Sequence, residues 1–145
     1  MNTMNKINTS DAFKVKVEFW LSGDNFCFAK ATEIVGTEPS HTRTKADFKF
    51  PEYAATVWEI STEYEESLDI MDQVLKIQRQ LEKKPGEIRA YCEENDICAG
   101  FCIVILSNGN YLPCTSLSAQ FVSLAAQLNA RIDFDIYPNH FSFSD

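Results

Sequence analysis

Two aspartates, Asp133 and Asp135, alternate with Ile132, Phe134 and Ile136 in the stretch Arg131–Tyr137. On a strand, that spacing sets both carboxylates on one face, about 6.5–7 Å apart. Paired carboxylates can hold a divalent cation or share acid–base work. No third acidic ligand stands at a readable spacing, however, and the same alternation describes a solvated outer face. A second constellation is basic: His41, Arg43 and Lys45 interleave with Ser40, Thr42 and Thr44, and Lys49 extends the ribbon. Such a face can hold a phosphate or carboxylate through paired cations and hydroxyl donors. It also reads as an exposed strand face that offsets an acidic remainder.

The acidic remainder is concentrated. Glu52–Asp72 carries Glu52, Glu59, Glu63, Glu65, Glu66, Asp69 and Asp72, with no Lys or Arg among them. A helix N-terminus just after Glu63-Tyr64-Glu65-Glu66 accounts for about two or three of these charges. The rest, centred on Glu63, Tyr64, Glu65, Glu66 and Asp69, reads either as charge that only keeps the chain in solution or, more specifically, as a face that steers and holds a basic protein partner. Trp20, Trp58, Tyr64 and Tyr137 are the aromatic anchors available to it, Trp58 being the one better suited to the core.

Nucleophilic chemistry is poorly provided for. The five cysteines (27, 92, 98, 102 and 114) include no C-x-x-C pair, so they read as reduced, mainly core-filling thiols with no metal site. A Cys–His pair using His41 is conceivable, but apolar surroundings raise thiol pKa values, and His140 falls in the C-terminal stretch. Phosphate-loop, dinucleotide and zinc-protease patterns are absent. The expectation is a protein that is not an enzyme, with no catalytic residue and no cofactor.

A net charge of −8 opposes general affinity for nucleic acid, since each phosphate contact needs a local cation. The polar stretch Met1–Asp11 lacks the apolar core of a signal peptide, and the longest apolar run, Phe101–Leu106, is too short to cross a bilayer. The reading is therefore a cytoplasmic chain with no membrane partner. The 145 residues fit one domain over 13–137, between tails at 1–12 and 138–145.

The elements that must position these residues follow from periodicity. Phe13, Val15, Val17, Phe19 and Leu21 alternate with Lys14, Lys16 and Glu18, predicting a half-buried strand. Asp24 or Asn25 would cap a helix carrying Cys27, Ala31, Ile34 and Val35, which stops at Gly36 and Pro39. Thr37–Phe50 and Ala54–Thr62 read as an antiparallel pair, with Trp58 and Ile60 sharing a face. Ser67 would cap one continuous helix over Leu68–Leu81, with ridges Ile70, Val74, Ile77, Leu81 and Leu68, Met71, Leu75. Pro85-Gly86 ends it, and Glu87–Glu94 adds a turn or two. Ile97–Leu106 is a central strand, Asn108-Gly109 a hairpin turn, and Tyr111-Leu112 the start of a return strand that Pro113 cuts short. Ser116 would cap a helix with Leu117, Phe121, Leu124 and Leu128, leaving through Asn129 in left-handed geometry. Arg131–Tyr137 closes the chain with Ile132, Phe134 and Ile136 inward. The expected class is α+β, a mostly antiparallel sheet with about three helices in the order β-α-β-β-α-β-β-α-β.

The succession VEFWLSG, ATEIVGTEPS, VWEIST, LDIMDQVLKI and LAAQLNARIDFDIY resembles a bacterial domain-of-unknown-function family, DUF4279, over roughly Val15–Tyr137. Its most specific pieces are Ala31–Ser40 and Asp133–Tyr137. Members carry an aromatic residue and then Lys-Gly-Asp after the Pro-Ser/Thr, where this chain has Arg43 and Lys45-Ala46-Asp47. The resemblance implies an α+β fold, often found beside toxin or defence genes, and transfers no catalytic motif. With the acidic segment, it frames the leading expectation of an immunity-type inhibitor that neutralises a basic toxin domain. A small-ligand or anion-binding module on His41, Arg43 and Lys45 is the alternative.

Overall fold

The computed structural model describes residues 13–107 and 111–138. The alternating stretch forms β1 (Lys14–Gly23), and its apolar members Val15, Val17, Phe19 and Leu21 are fully buried. β1 pairs antiparallel with β5 (Cys98–Leu106) on one side, and with β3 (Thr56–Ser61) and the two-residue β4 (Glu65–Glu66) on the other. β2 (His41–Arg43) adds to β3 antiparallel, and β6 (Arg131–Tyr137) adds to β5 in parallel. The sheet order is β2-β3-β1-β5-β6, with β4 beside β1. The α+β class and the mostly antiparallel sheet stand as expected.

Four helices cover one face of this sheet: α1 (Phe28–Val35), α2 (Met71–Leu81), α3 (Pro85–Glu94) and α4 (Ala119–Gln127). The core joins Phe19, Phe101, Trp58 and Ile60 from the strands to Ala31, Val74, Ile77, Ile88, Phe121 and Leu124 from the helices. Phe101 meets Phe121 edge-on at 4.8 Å and Phe19 at 5.1 Å, both favourable ring arrangements. Trp58 Nε1 donates to Thr32 Oγ1 at 3.0 Å, so its one polar atom is satisfied inside the core.

Several boundaries differ from the sequence reading, each for a local reason. α1 is preceded by Cys27 with no side-chain cap, rather than by Asp24 or Asn25. The second strand ends at Arg43 because Thr44 and Asp47 form a reciprocal capping box, folding Lys45–Asp47 into a 3-10 turn. α2 starts at Met71, not Leu68. Ser67 closes a small turn with Asp69, and Asp69 Oδ1 accepts from the Met71 N–H at 3.0 Å. Leu68 is consequently 59% exposed, while the Ile70, Val74, Ile77, Leu81 ridge is buried. α4 is capped by Ser118, whose Oγ accepts from Phe121 N–H, rather than by Ser116. The left-handed exits at Gly36 and Asn129 are as expected.

The return strand at Tyr111-Leu112 is absent. Cys114 instead bridges the start of α2, its N–H donating to Leu68 O and its C=O accepting from Ile70 N–H. Asn108-Gly109 lies outside the described residues, as do the expected tails apart from Pro138. β6 therefore enters parallel to β5, and Phe134 and Ile136 are 41% and 40% exposed rather than inward. Among the described residues, no helix is long and apolar enough to cross a membrane.

The Val74 side chain is wholly buried between α2 and β1. Val74→Ala should cost about 1–3 kcal/mol, by extension from truncations of buried aliphatics, read from the urea midpoint. A neutral result would mean that the α2 ridge carries no core packing.

Candidate functional site

Helices cover only the face bearing Val15, Val17, Phe19 and Leu21, so the alternate residues of every strand emerge on the other. The register arranges them in rows. One row reads His41, Glu59, Trp20, Gly100, Arg131, and the next Ser61, Glu18, Cys102, Asp133. Lys16 stands beside Val104 and Asp135 in the row after that. Carboxylates of β1, β3 and β6 thus share one helix-free face.

Charge on this face is partly internally paired. Lys16 Nζ lies 2.8 Å from Glu18 Oε1 and 4.7 Å from the centre of the Tyr64 ring. Burial works against the Lys16 charge, but the Glu18 hydrogen bond and the surrounding negative groups outweigh it and raise its pKa. Glu59 has no cation in ion-pair range among the described residues. Burial raises its pKa, the neighbouring Glu18 raises it further, and His41 and Lys16 only partly offset this. Burial, assisted by Glu18, Asp135, Asp133 and Glu59, pushes the Cys102 thiol up to about 11. It is a protonated, weak nucleophile at neutral pH.

Trp20 lies across Gly100. A Cβ on Gly100 would sit 2.2 Å from Trp20 Cζ2 and 2.5 Å from Cε2. The glycine is demanded by this close approach of the indole, which forms an aromatic floor between Glu59 and Arg131.

The acidic segment divides by role. Glu66 stands opposite Lys14 on the helix-free side, whereas Glu65 stands opposite buried Val15 and pairs with Lys76 of α2. The Lys76 hydrogen bond holds the Glu65 carboxyl below its ordinary range. Asp69 is committed to the α2 start. Glu63 and Glu66 are exposed, and Tyr64 is 42% exposed over Lys16, so this strap borders the helix-free face. The Tyr137 phenol donates to Asp135 at 2.8 Å; that bond and the Asp135 charge raise its pKa, with Tyr64 contributing from nearby.

His41, Arg43 and Lys45 are not brought together. His41 and Arg43 are exposed on β2, with Arg43 stacked 3.7 Å over the Phe48 ring. Lys45 turns away in the 3-10 segment and pairs with Asp24, beside a hollow of about 420 Å³. Lys49 lies over Phe50 instead of extending the ribbon. Asp133 is held in a fork by Arg131, at 2.9 and 3.0 Å. Among the described residues no group of three or more His, Cys, Asp or Glu is arranged to hold a metal ion. All five cysteines are free, but only Cys92 is buried; Cys27, Cys98 and Cys114 are exposed, correcting their reading as core-filling.

The sequence reading missed Glu18, Glu59 and the Trp20–Gly100 floor as neighbours. The alternation in β1 placed Lys16 and Glu18 off the core, but only the cross-strand register brings Glu59 and Gly100 to Trp20.

An α+β domain with a one-sided sheet and an acidic strap is the class that this geometry defines. The chain matches the domain of unknown function DUF4279 over residues 13–139 and belongs to that family. No curated protein and no solved structure matches it.

Two measurements probe the face. Glu59 is held protonated more readily in the folded chain, so the folded state binds more protons between the ordinary value of 4.5 and the raised one. Stability therefore falls as pH rises through that window. Glu59→Gln should raise the melting temperature at pH 7, and the gain should vanish as pH drops below 4.5. Gly100→Ala should destabilise by about 1–3 kcal/mol through overpacking against the indole. In a Trp20→Ala background most of that cost should disappear, which a double-mutant cycle in urea measures.

Proposed function

We propose that this chain is a non-enzymatic binding module that takes a basic protein partner on the strap and the adjoining helix-free sheet face. The observation that carries this reading is the seating of Tyr64 over Lys16, which sets exposed Glu63 and Glu66 beside the face bearing Glu18, Glu59 and Asp135. Lys16 is occupied by Glu18, and Arg131 by Asp133. Glu59 and Glu63 thus remain available to an incoming cation, and Tyr64 and Trp20 offer aromatic surface for its stem. A net charge of −8 adds long-range attraction for such a partner. Thiols at Cys92 and Cys102 held at about 11 are consistent with a role other than nucleophilic catalysis.

The finer reading is an immunity-type inhibitor that masks a basic toxin domain in the cytoplasm. The anion-binding alternative draws no comparable support, since Lys45 leaves the strand for the 3-10 turn and is spent on Asp24.

The division of the strap chooses the variant. Glu65 and Asp69 serve the fold, so Glu63→Lys combined with Glu66→Gln tests the surface alone. The melting temperature should move little, because exposed charges contribute about 0–1 kcal/mol. Association with a basic partner recovered from the native host should slow about tenfold at low salt, and the difference should shrink as screening grows. Equal association rates at two ionic strengths would remove the strap from the mechanism.

A further inference from the structure

We propose that β6 is an open sheet edge that accepts an extended segment of a partner chain as an added strand, with cationic residues on one face of that segment and apolar residues on the other. This rests on the reading of the chain as a binder of basic partners and specifies how such a partner engages.

The two edges of the sheet, β2 and β6, are built differently. β2 has three residues and runs at once into the 3-10 turn at Lys45–Asp47, which leaves little to pair with. β6 has seven residues with no proline or lysine, and its inner side is paired without interruption from Gly100↔Arg131 to Leu106↔Tyr137. Among the described residues nothing pairs with its outer side, so its remaining backbone N–H and C=O groups form a regular row. Such a row is a template for strand addition unless it is short, bulged or otherwise guarded.

Side chains select the occupant. Ile132 packs against the core, but Phe134 and Ile136 run on beyond it and stay 41% and 40% exposed. On the opposite face of the strand stand Asp133, forked by Arg131 of the same face, and exposed Asp135, which accepts from the Tyr137 phenol and has no cation paired with it among the described residues. Residues of an added strand would lie directly beside these, so Lys or Arg alternating with Val or Ile complements both faces at once. A second copy of this chain fits badly. Antiparallel self-pairing over the full length of β6 sets Asp133 against Asp135 twice, and like charges directly opposite repel.

The test uses the full chain and a short synthetic peptide of alternating lysine and valine, followed by backbone amide shifts and hydrogen exchange. Two control peptides are N-methylated at one or the other alternate set of amides, which keeps the charge and removes hydrogen bonds. Shifts and at least about tenfold slower exchange should map to Ile132–Tyr137. One N-methylated peptide should bind at least about tenfold more weakly, and Asp135→Lys, at an exposed position, should weaken binding similarly. Equal binding of all three peptides would overturn strand addition. Shifts confined to Glu63–Glu66 would overturn the edge while leaving the acidic reading intact, and no binding at either place would overturn both. Concentration-dependent shifts in β6 without peptide would assign the edge to a second copy and overturn the proposal.

Discussion

β1 is hydrogen-bonded along both sides, to β5 from Lys14 through Ser22 and to β4 and β3 in succession on the other side. Only a strand satisfied in this way can bury Val15, Val17, Phe19 and Leu21 completely without leaving backbone donors and acceptors unpaired in the core. The ladder also fixes everything else in the sheet. Side chains repeat every two residues, so a one-residue slip would drive Lys16 and Glu18 beneath the helices and expose the apolar set. The register that makes the core thereby dictates which residues meet on the helix-free face.

That face is built from charged side chains and one aromatic ring rather than from core packing. Its Arg131–Asp133 pair is exposed, and such pairs contribute about 0–1 kcal/mol, while the Lys16–Glu18 pair is partly buried. Burial and the neighbouring Glu18 disfavour the Glu59 charge, and His41 and Lys16 offset this only in part. Trp20 occupies the space above a glycine in the middle of a strand, where any other residue would add packing but collide with the indole. The face thus sets a carboxylate whose charge burial disfavours beside an aromatic ring kept off the core.

Much of the architecture was legible because local chemistry and global packing agree. The period of two in β1, the Ile70, Val74, Ile77, Leu81 ridge, and the left-handed residues Gly36 and Asn129 stand as the sequence implies. Hidden from the sequence were competitions between neighbours. Lys45 could continue a strand or meet Asp24, and the Thr44–Asp47 box decides for the turn. Ser67 could cap a helix directly, but it turns back on Asp69, and Asp69, two residues on, accepts from the first helical N–H at Met71. Alternation in β6 correctly separates Phe134 and Ile136 from the aspartates. It cannot say whether a helix reaches far enough to cover them. The candidate face was the least legible part, because Glu18, Glu59 and Gly100 are distant in sequence and meet only through register.

The open edge has the same origin as the start of α2. A hairpin after β5 would have laid an antiparallel return strand against it. Instead Pro113 is buried, and Cys114 exchanges backbone hydrogen bonds with Leu68 and Ile70, drawing the chain across to the helix layer. There it supplies partners for backbone groups ahead of α2, where Leu68 and Ile70 would otherwise lack them. The chain can then return to the sheet only through α4, a crossover that delivers β6 parallel to β5. A segment recruited to stabilise one helix therefore leaves the last strand long, regular and outermost. The acidic strap is tied to the same corner, since Asp69 bridges Cys114 while Glu66 pairs with β1. One local choice in the chain thus settles where the carboxylates gather and which edge is unpaired among the described residues.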